Sequence, residues 1–442
     1  MLTKWLQDHK PRAAVMKEQR AFYRNLELAM DISRADHSLF VAKPRWDDSV
    51  LDFTSSDFLS FSRSGRIREA FQEELSRHEN FRLSASGSRV QYGNYDYLIQ
   101  MEQELAGFHG AEAAYIAHSG FMANAGTVAA VPLPCGAIIY DDAVHASTHE
   151  GMKLSLASHQ LSFRHNDPDS LRDVLSELKE SHTAFATGSS SILIAVESVY
   201  CMDGDICPLD ELVQVAKELF PLGNAQFIID EAHSNGVIGP KGADLVDMLG
   251  LEKEIALLIH MCSKALGSTG AQSGVILCNK PIRDRLISNA RFAIYSGAPS
   301  FPMVASMRAG YRLLENGEAE KGMVKFQKSL KHFLKTITAH PDYERIEHLT
   351  HIVPVLTRPK HELYLFFHLM INNINAYAVS FPVVPKGKSR VGLVFHAHNG
   401  LDQAETLANV ICEWAQEMLE IKAGETENVM PSAARQVYAM KA

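Results

Sequence analysis

The sequence of 442 residues lacks long apolar runs, and none approaches the roughly 18 to 20 apolar residues that a membrane-spanning helix requires. It also lacks an excess of basic charge: 43 lysines and arginines stand against 52 aspartates and glutamates, which argues against a nucleic-acid surface. The N-terminus carries charge throughout, without the apolar segment of a secretory signal. The six cysteines form no CxxC pair, which favours reduced thiols over a disulfide framework. We therefore expect a soluble cytoplasmic protein.

Several motifs of catalytic or metal sites are also missing. No GxSxG sequence occurs, which removes the usual nucleophile of α/β-hydrolases. His145 and His149 are four residues apart, a spacing that can bind zinc on a helix, but no HExxH accompanies them and no third ligand is evident. The glycines of GVIGPKG (236–242) do not form a dinucleotide-binding fingerprint, and turn geometry explains them. We expect no metal ion.

Short apolar runs of strand type alternate with amphipathic helical stretches such as LDELVQVAKELF (209–220). Near-continuous apolar strands that alternate with helices indicate an α/β fold with a mostly parallel sheet covered on both faces. The predicted strands are AIIYD (137–141), ILIAVE (192–197), QFIID (226–230), IALLIH (255–260) and SGVILC (273–278). Ligands gather at the carboxyl ends of such strands, where the sequence places Asp141, Glu197, Asp230 and His260.

The alternation of apolar strand-like runs and helical stretches ends at about residue 300. A long helical stretch leads to a smaller region that contains the strand-like HIVPVLT (351–357) and a final helix. We expect an N-terminal helical arm at 1–50, a large domain at 51–300 and a smaller C-terminal domain at 301–422. The polar and non-periodic segment 423–442 is expected to be a poorly ordered tail.

In FIIDEAHSNGVIG (227–239) an apolar strand ends in Asp230 and Glu231, with His233 two residues later. Asp230 could simply cap the next helix, or it could hold a ligand with a basic nitrogen. Lys264 lies in the glycine- and serine-rich stretch HMCSKALGSTGAQSG (260–274), where a lysine amine can form a Schiff base with an aldehyde.

Pyridoxal 5'-phosphate needs such a lysine, an acid for its ring nitrogen, a flat group over its ring and donors for its phosphate. Asp230 can supply the acid, and His145 in DDAVHASTHEG (141–151) can supply the flat ring. Ser119 in HSGFMANAG (118–126), together with backbone amides at the start of a helix, can supply the phosphate donors.

Together these segments resemble the α-oxoamine synthases, a branch of the fold-type I pyridoxal-phosphate enzymes. That family includes 8-amino-7-oxononanoate synthase, 2-amino-3-ketobutyrate ligase, 5-aminolevulinate synthase and serine palmitoyltransferase. The resemblance covers about residues 50 to 415, and it implies the fold of aspartate aminotransferase: a large, mostly parallel seven-stranded sheet domain that binds the cofactor, and a smaller C-terminal α/β domain. Further matching pieces are SDFLSF (56–61), SASGSR (84–89), FRHND (163–167), ESVYCMDGDICPLDEL (197–212) and YSGAPS (295–300).

The resemblance assigns catalytic roles to Lys264, Asp230 and His145. It implies that Lys264 forms the Schiff base and removes the α-proton of the substrate. It also implies that Asp230 pairs with the pyridine nitrogen, that His233 bonds the phenolic oxygen, and that the His145 ring stacks on the pyridine.

The resemblance also implies a set of weaker cofactor contacts. Ser119, Gly120 and Phe121 resemble part of the phosphate cradle, and Ser263 is a further hydroxyl donor beside it. Glu197 is predicted to contact the cofactor, although a strand-end acid could equally pair with a structural partner. Family members are homodimers with active sites at the subunit interface, where Ser296 would reach the phosphate of the partner subunit.

Four positions depart from the family pattern. Met261 replaces a hydroxyl residue near the phosphate, and Leu98 replaces a common histidine. Ser56 replaces the asparagine of the family's NDYLG motif, and Gly392 replaces the usual arginine that binds the amino-acid carboxylate. We predict Ser56 and Arg390 as substrate-binding residues, and the alternative for Arg390 is a salt bridge.

The resemblance implies a decarboxylative condensation of a small amino acid with an acyl thioester, which gives an α-amino ketone. The thioester could be carried on coenzyme A or on an acyl carrier protein, and the product could belong to polyketide or other specialised metabolism. An aminotransferase that acts on a keto or aldehyde substrate is the alternative. A non-catalytic regulatory subunit is disfavoured because Lys264 is present.

Overall fold

The computed structural model describes residues 2–12, 16, 18–35, 37–41, 49–268, 273–338 and 350–440. Part of the predicted N-terminal arm and residues 269–272 of the predicted glycine-rich loop lie outside this range. In the described part of the chain, no helix combines the length and the apolar character needed to cross a membrane.

The described chain contains eighteen α-helices, a short 3₁₀ helix (Pro240–Gly242) and twelve strands. The helices are α1 (Leu2–Asp8), α2 (Ala21–Ala35), α3 (Phe61–Ser64), α4 (Arg66–Ser76), α5 (Asp96–Phe108), α6 (Gly120–Ala130), α7 (Ala146–Leu154), α8 (Pro168–Ser181), α9 (Thr183–Ala186), α10 (Leu209–Leu219), α11 (Leu245–Leu249), α12 (Lys280–Asn289), α13 (Arg291–Tyr295), α14 (Phe301–Glu315), α15 (Glu318–Thr338), α16 (His361–Ile371), α17 (Leu401–Ala423) and α18 (Ser432–Ala439). The strands are β1 (Leu51–Asp52), β2 (Ala113–Ala117), β3 (Ala137–Asp141), β4 (His159–Phe163), β5 (Ile192–Glu197), β6 (Ala225–Asp230), β7 (Leu257–Met261), β8 (Gly274–Cys278), β9 (Ile352–Leu356), β10 (Ile374–Asn375), β11 (Tyr377–Val379) and β12 (Arg390–Val394).

The central sheet has seven strands in the order β2-β8-β7-β6-β5-β3-β4. Strand β8 runs antiparallel to both of its neighbours, and the other pairs are parallel. The prediction of a mostly parallel seven-stranded sheet is therefore confirmed. The five predicted strands match β3, β5, β6, β7 and β8 to within two residues at each end, whereas β2 and β4 were not predicted. Strand β4 lies at the edge of the sheet and is largely exposed, so it lacks the apolar run of a central strand.

The strand register separates the four polar residues predicted at the carboxyl edge. Glu197 lies directly opposite Asp230, so their side chains share one face of the sheet. Asp230 pairs with Ile259, and successive strand residues face opposite ways, so His260 faces the other side. There the His260 imidazole lies 3.0 Å from the Asp244 carboxylate. His260 therefore lies near the carboxyl end of its strand, as predicted, but faces away from Asp230.

The C-terminal part forms a second, smaller layer beside this sheet. Its three-stranded antiparallel sheet has the order β11-β12-β9, and α15 packs against α17. Strand β1 pairs with β10, so the first residues of the predicted large domain join the C-terminal part. The rings of Phe53 and Phe395 lie 5.3 Å apart and extend this junction into the core.

The predicted poorly ordered tail contains an ordered helix, α18. Ala433, Ala434 and Val437 are buried, and they form a cluster with Trp5 and Phe367. These apolar residues are spaced so that they lie on one face of a helix. That pattern is hard to recognise in the sequence, because segment 423–442 is polar as a whole. The prediction of disorder is therefore wrong for residues 432–439.

A short hairpin follows β5, and we call residues 198–207 the β5 hairpin. Val199 and Ile206 form an antiparallel bridge, and the amide of Gly204 donates to the carbonyl of Tyr200 at 2.8 Å. The large domain holds this hairpin through His165 Nε2, which lies 2.8 Å from Asp205 Oδ2.

His165 is shared between two carboxylates, because its Nδ1 lies 2.8 Å from Asp141 Oδ1. Burial alone would lower the pKa of His165, but the hydrogen bonds to Asp141 and Asp205 outweigh it and raise the pKa to about 10. Asp141 therefore serves the hairpin and does not face the cluster at Asp230.

We predict that Val437→Asp destabilises the protein by about 3 kcal/mol, because it buries an unpaired carboxylate among aromatic rings. Chemical denaturation would measure the change. Gln436→Asp, at an exposed position of the same helix, is the matched control. Equal stability of the two variants would show that α18 does not pack in this way.

We predict that His165 stabilises the fold in a pH-dependent manner. Its folded pKa lies above the ordinary value, so the stabilisation is complete below about pH 6.5 and is lost as the pH rises towards 10. The unfolding free energy of the wild type minus that of His165→Gln should therefore shrink between pH 6.5 and 10 in urea titrations. His182→Gln, at an exposed histidine, is the control, and the same trend there would contradict the assignment.

Candidate active site

Lys264 and His233 meet at the carboxyl edge of the sheet. Lys264 lies in the turn after β7 and His233 in the turn after β6, and Lys264 Nζ lies 2.7 Å from His233 Nε2. Burial lowers the pKa of Lys264, although the charge of Asp230 opposes the effect. Burial and the charge of Lys264 hold the pKa of His233 well below its usual value. Both side chains are thereby shifted towards their neutral forms, and a neutral amine is the nucleophilic form of lysine.

Asp230 is the last residue of β6, and each oxygen of its carboxylate accepts a hydrogen bond. Its Oδ2 accepts a 2.5 Å hydrogen bond from Asn124 Nδ2 of α6, and its Oδ1 accepts from the amide of Ala232 at 2.9 Å. The second bond is the local turn contact that a purely structural aspartate would also make. The first requires α6 to approach the strand end, so the carboxylate is fixed from two sides.

His145 lies at the start of α7 with a fixed ring. Its Nδ1 lies 2.7 Å from Ser147 Oγ, and its amide donates to Glu197 Oε1 at 2.5 Å. Burial lowers the pKa of His145, and the charges of Asp230 and Lys264 both act on it, in opposite directions. The ring is therefore held neutral beside the lysine and the aspartate.

Glu197 is the most strongly perturbed carboxyl of the site. Complete burial, reinforced by the charge of Asp230, raises the pKa of Glu197 well above its ordinary value. Glu197 holds the backbone of His145 by accepting the hydrogen bond from the His145 amide. The structure therefore places it behind the reacting groups, in contact with the His145 backbone.

The start of α6 is capped by a serine side chain. Ser119 Oγ accepts from the amide of Met122 at 3.1 Å and caps the helix. The first turn of a helix leaves amide N–H groups without helical acceptors, here those of Gly120 and Phe121. A Cβ on Gly120 would lie 2.8 Å from the end of the Met261 side chain. The glycine thus lets the helix start approach the end of β7 closely.

These residues fit pyridoxal 5'-phosphate. His233 Nδ1 is buried without a hydrogen-bond partner among the described residues, so a polar group remains to be satisfied there. The amine of Lys264 lies beside this imidazole, and Asn124 of α6 is bonded to the Asp230 carboxylate. An amine, a carboxylate and a helix start are the groups that the aldehyde, the pyridine nitrogen and the phosphate of the cofactor require.

Within the ranges that the structure describes, it shows no hydrogen bond from the other predicted site residues to Lys264, His233 or Asp230. Ser263 is half-buried next to Lys264, and Ser56 is exposed. Ser296 lies in a segment that contacts residue 87, because the Ala298 amide donates to the Gly87 carbonyl at 2.7 Å. Arg390 is buried in an ion pair with Asp203.

Sequence reasoning missed several residues of the site. Phe58 stacks near His233 at 5.7 Å between ring centroids, and His351 lies 4.0 Å from Phe58. Cys201 and Lys264 each influence the pKa of the other. Cys201 and Asn124 stand inside segments that the sequence already singled out, whereas nothing local marks His351, which comes from the C-terminal part.

Comparison with known proteins identifies the family. Residues 48–408 match the family model of aminotransferase class I and II. The aminoacyl transferase sphA of Aspergillus fumigatus is 43% identical over 99% of this chain and 97% of its own length. The 8-amino-7-oxononanoate synthase of Emericella nidulans is 38% identical over 85% of this chain and 92% of its own length.

Solved structures agree on the fold. The 8-amino-7-oxononanoate synthase of Francisella tularensis superposes with a TM-score of 0.66 at 25% identity, over 84% of this chain and 99% of that one. Serine palmitoyltransferase of S. paucimobilis superposes with a TM-score of 0.71 at 24% identity, over 82% and 86% of the two chains. The chain therefore belongs to the aminotransferase class I and II family, in its α-oxoamine synthase branch.

Proposed function

We propose that the enzyme is a pyridoxal-phosphate-dependent acyltransferase. It condenses a small amino acid with an acyl thioester and releases an α-amino ketone, carbon dioxide and the free thiol. The observation that carries this function is the cluster of Lys264, His233 and Asp230 at neighbouring strand ends. The relatives named 8-amino-7-oxononanoate synthase support the same reaction class.

The residues of the site have distinct proposed tasks. Lys264 would hold the cofactor aldehyde and take the α-proton, because burial favours its neutral amine. Asp230 would bind the pyridine nitrogen, and Asn124 holds the Asp230 carboxylate in place. His145 would contact the cofactor ring, and Glu197 holds the backbone of His145.

Bound at this site, pyridoxal 5'-phosphate would supply an electron sink for the bonds broken at the α-carbon of the amino acid. His233 would hold its phenolic oxygen, and Ser119 with the amides of Gly120 and Phe121 would hold its phosphate. Ser263 would add a hydroxyl donor at the same end. The protein's own part is to position these groups and to keep them dry.

The substrates are proposed at the class level. A small amino acid is the amine donor, with Ser56 beside it, and the acyl group arrives on coenzyme A or on an acyl carrier protein. A role in polyketide or other specialised metabolism would suit the altered residues Ser56 and Gly392. The six cysteines are all free in the structure, which favours a reducing compartment such as the cytoplasm.

We predict that Lys264→Ala lowers turnover by about 10³-fold or more, because it removes both the covalent attachment and the base. The purified enzyme would be supplied with amino acids and acyl thioesters while free thiol and carbon dioxide are measured. Lys253→Ala, at an exposed lysine, is the control and should turn over normally. Formation of a keto acid without thiol release would instead assign an aminotransferase.

We also propose that the enzyme is a homodimer with the active sites at the subunit interface. The segments around Gly87 and Ala298 adjoin each other, and they carry the exposed apolar side chains of Leu83, Tyr92 and Tyr295. Tyr92 is 93% exposed, which is unusual for a large aromatic side chain unless a partner covers it. Ser296 lies in the same surface, where it would reach the partner's phosphate site.

We predict that the double variant Tyr92→Glu, Tyr295→Glu is monomeric and inactive, because charged side chains in an apolar interface oppose association. Light scattering coupled to size-exclusion chromatography would give the mass. Leu222→Glu places the same charge at another exposed apolar residue and should leave the dimer intact. A dimeric double variant would place the interface elsewhere.

A further inference from the structure

The β5 hairpin is built directly onto the active site. Its first residue, Ser198, follows Glu197, and the Ser198 amide donates to the carbonyl of Asp230 at 3.0 Å. Its tip carries Cys201, whose pKa is raised to about 12 by burial together with the charge of Glu197, while Lys264 opposes that effect. The hairpin thus continues directly from the strand end that carries Glu197, and it is hydrogen-bonded to the backbone of Asp230.

Residues of the C-terminal part form hydrogen bonds and an ion pair with this hairpin. Arg390 Nη1 donates to the carbonyl of Met202 at 2.9 Å and forms an ion pair with Asp203. Thr350 Oγ1 donates to the carbonyl of Gly204 at 2.6 Å. These contacts span between 146 and 188 residues of sequence, so they join two separate parts of the fold.

Gly204 shows how closely the two parts approach. A Cβ at Gly204 would lie 2.2 Å from the carbonyl oxygen of Ile352, and the residue has a φ of +70°. Both the space and the backbone conformation require glycine. The two parts are therefore in packed contact, and the ion pair is only one part of that contact.

Arg390 already makes several bonds within the protein. Its side chain is 5% exposed, its Nη1 serves Met202 and Asp203, and its Nε donates to the carbonyl of Lys388 at 3.1 Å. The Asp203 carboxylate already neutralises its charge. A carboxylate ligand that used Nε or Nη1 would have to displace these bonds, which are charge-assisted and partly buried.

We propose that Arg390 is a positioning residue that acts through Asp203 and Met202 to hold the β5 hairpin against the strand ends that carry Glu197 and Asp230. This inference rests on the proposed function for the identity of the substrate, and on the hydrogen bonds and the ion pair described above for the position of the hairpin. It replaces the predicted role of Arg390 as a direct substrate ligand. Cys201, at the tip of the same hairpin, is a chemical reporter of the hairpin's position.

The test uses the alkylation of Cys201 in the pyridoxal-phosphate-loaded enzyme, followed peptide by peptide with iodoacetamide and mass spectrometry. Arg390→Gln and Asp203→Asn should each raise the Cys201 rate roughly tenfold, because either loss favours local opening of the hairpin. The double variant should add little, since both changes break one interaction. Asp203→Glu, which keeps the carboxylate, should restore slow alkylation.

Kinetics separate positioning from direct binding. Arg390→Gln and Asp203→Asn should raise the KM for the amino acid by similar factors, with smaller changes in kcat. Arg172→Gln, which breaks an exposed ion pair with Glu218 outside the hairpin, is the control for the alkylation rates and for the KM values. Thermal unfolding would show that each variant is folded.

The inference is overturned if Asp203→Asn leaves the alkylation of Cys201 and the KM unchanged while Arg390→Gln raises the KM, because Arg390 would then bind the substrate itself. The expected alkylation pattern in an enzyme that consumes no thioester would support the positioning role and would count against the proposed function. The two ideas therefore fail separately.

Discussion

The contact between Lys264 Nζ and His233 Nε2, 2.7 Å long, depends on burial. Two cationic side chains at that distance would repel each other, and the enclosed site resolves the conflict by lowering both pKa values. The neutral amine that results is the form that can attack an aldehyde and accept a proton. The sheet makes this possible because β6 and β7 are neighbours and end at the same edge.

The same burial orders the groups around that pair. Glu197 lies opposite Asp230 in the strand register, and two buried carboxylates this close are not both easily ionised. The structure gives Asp230 two N–H donors, while the pKa of Glu197 is raised. The two acids therefore have different surroundings: both oxygens of Asp230 accept hydrogen bonds from N–H groups, and Glu197 accepts one from the backbone amide of His145.

The sequence predicted the parts of this site that local pattern encodes. Central strands are apolar throughout, so β5 and β6 and their terminal acids could be located to within a residue. The alternation of strand side chains also decides that His260 faces away from Asp230, but that conclusion needs the register between β6 and β7, which no local pattern gives. His351 and the partners of Arg390 could not be predicted, because they come from distant parts of the chain.

The C-terminal sheet explains why Gly392 and Arg390 must be considered together. Along β12, Val391 and Leu393 are fully buried on one face, so Arg390 and Gly392 share the other face. A Cβ at Gly392 would meet only the carbonyl oxygen of Tyr377, at 3.8 Å, so packing does not require glycine there. The strand therefore keeps one arginine, tied to the β5 hairpin, and leaves open space where a second side chain would fit.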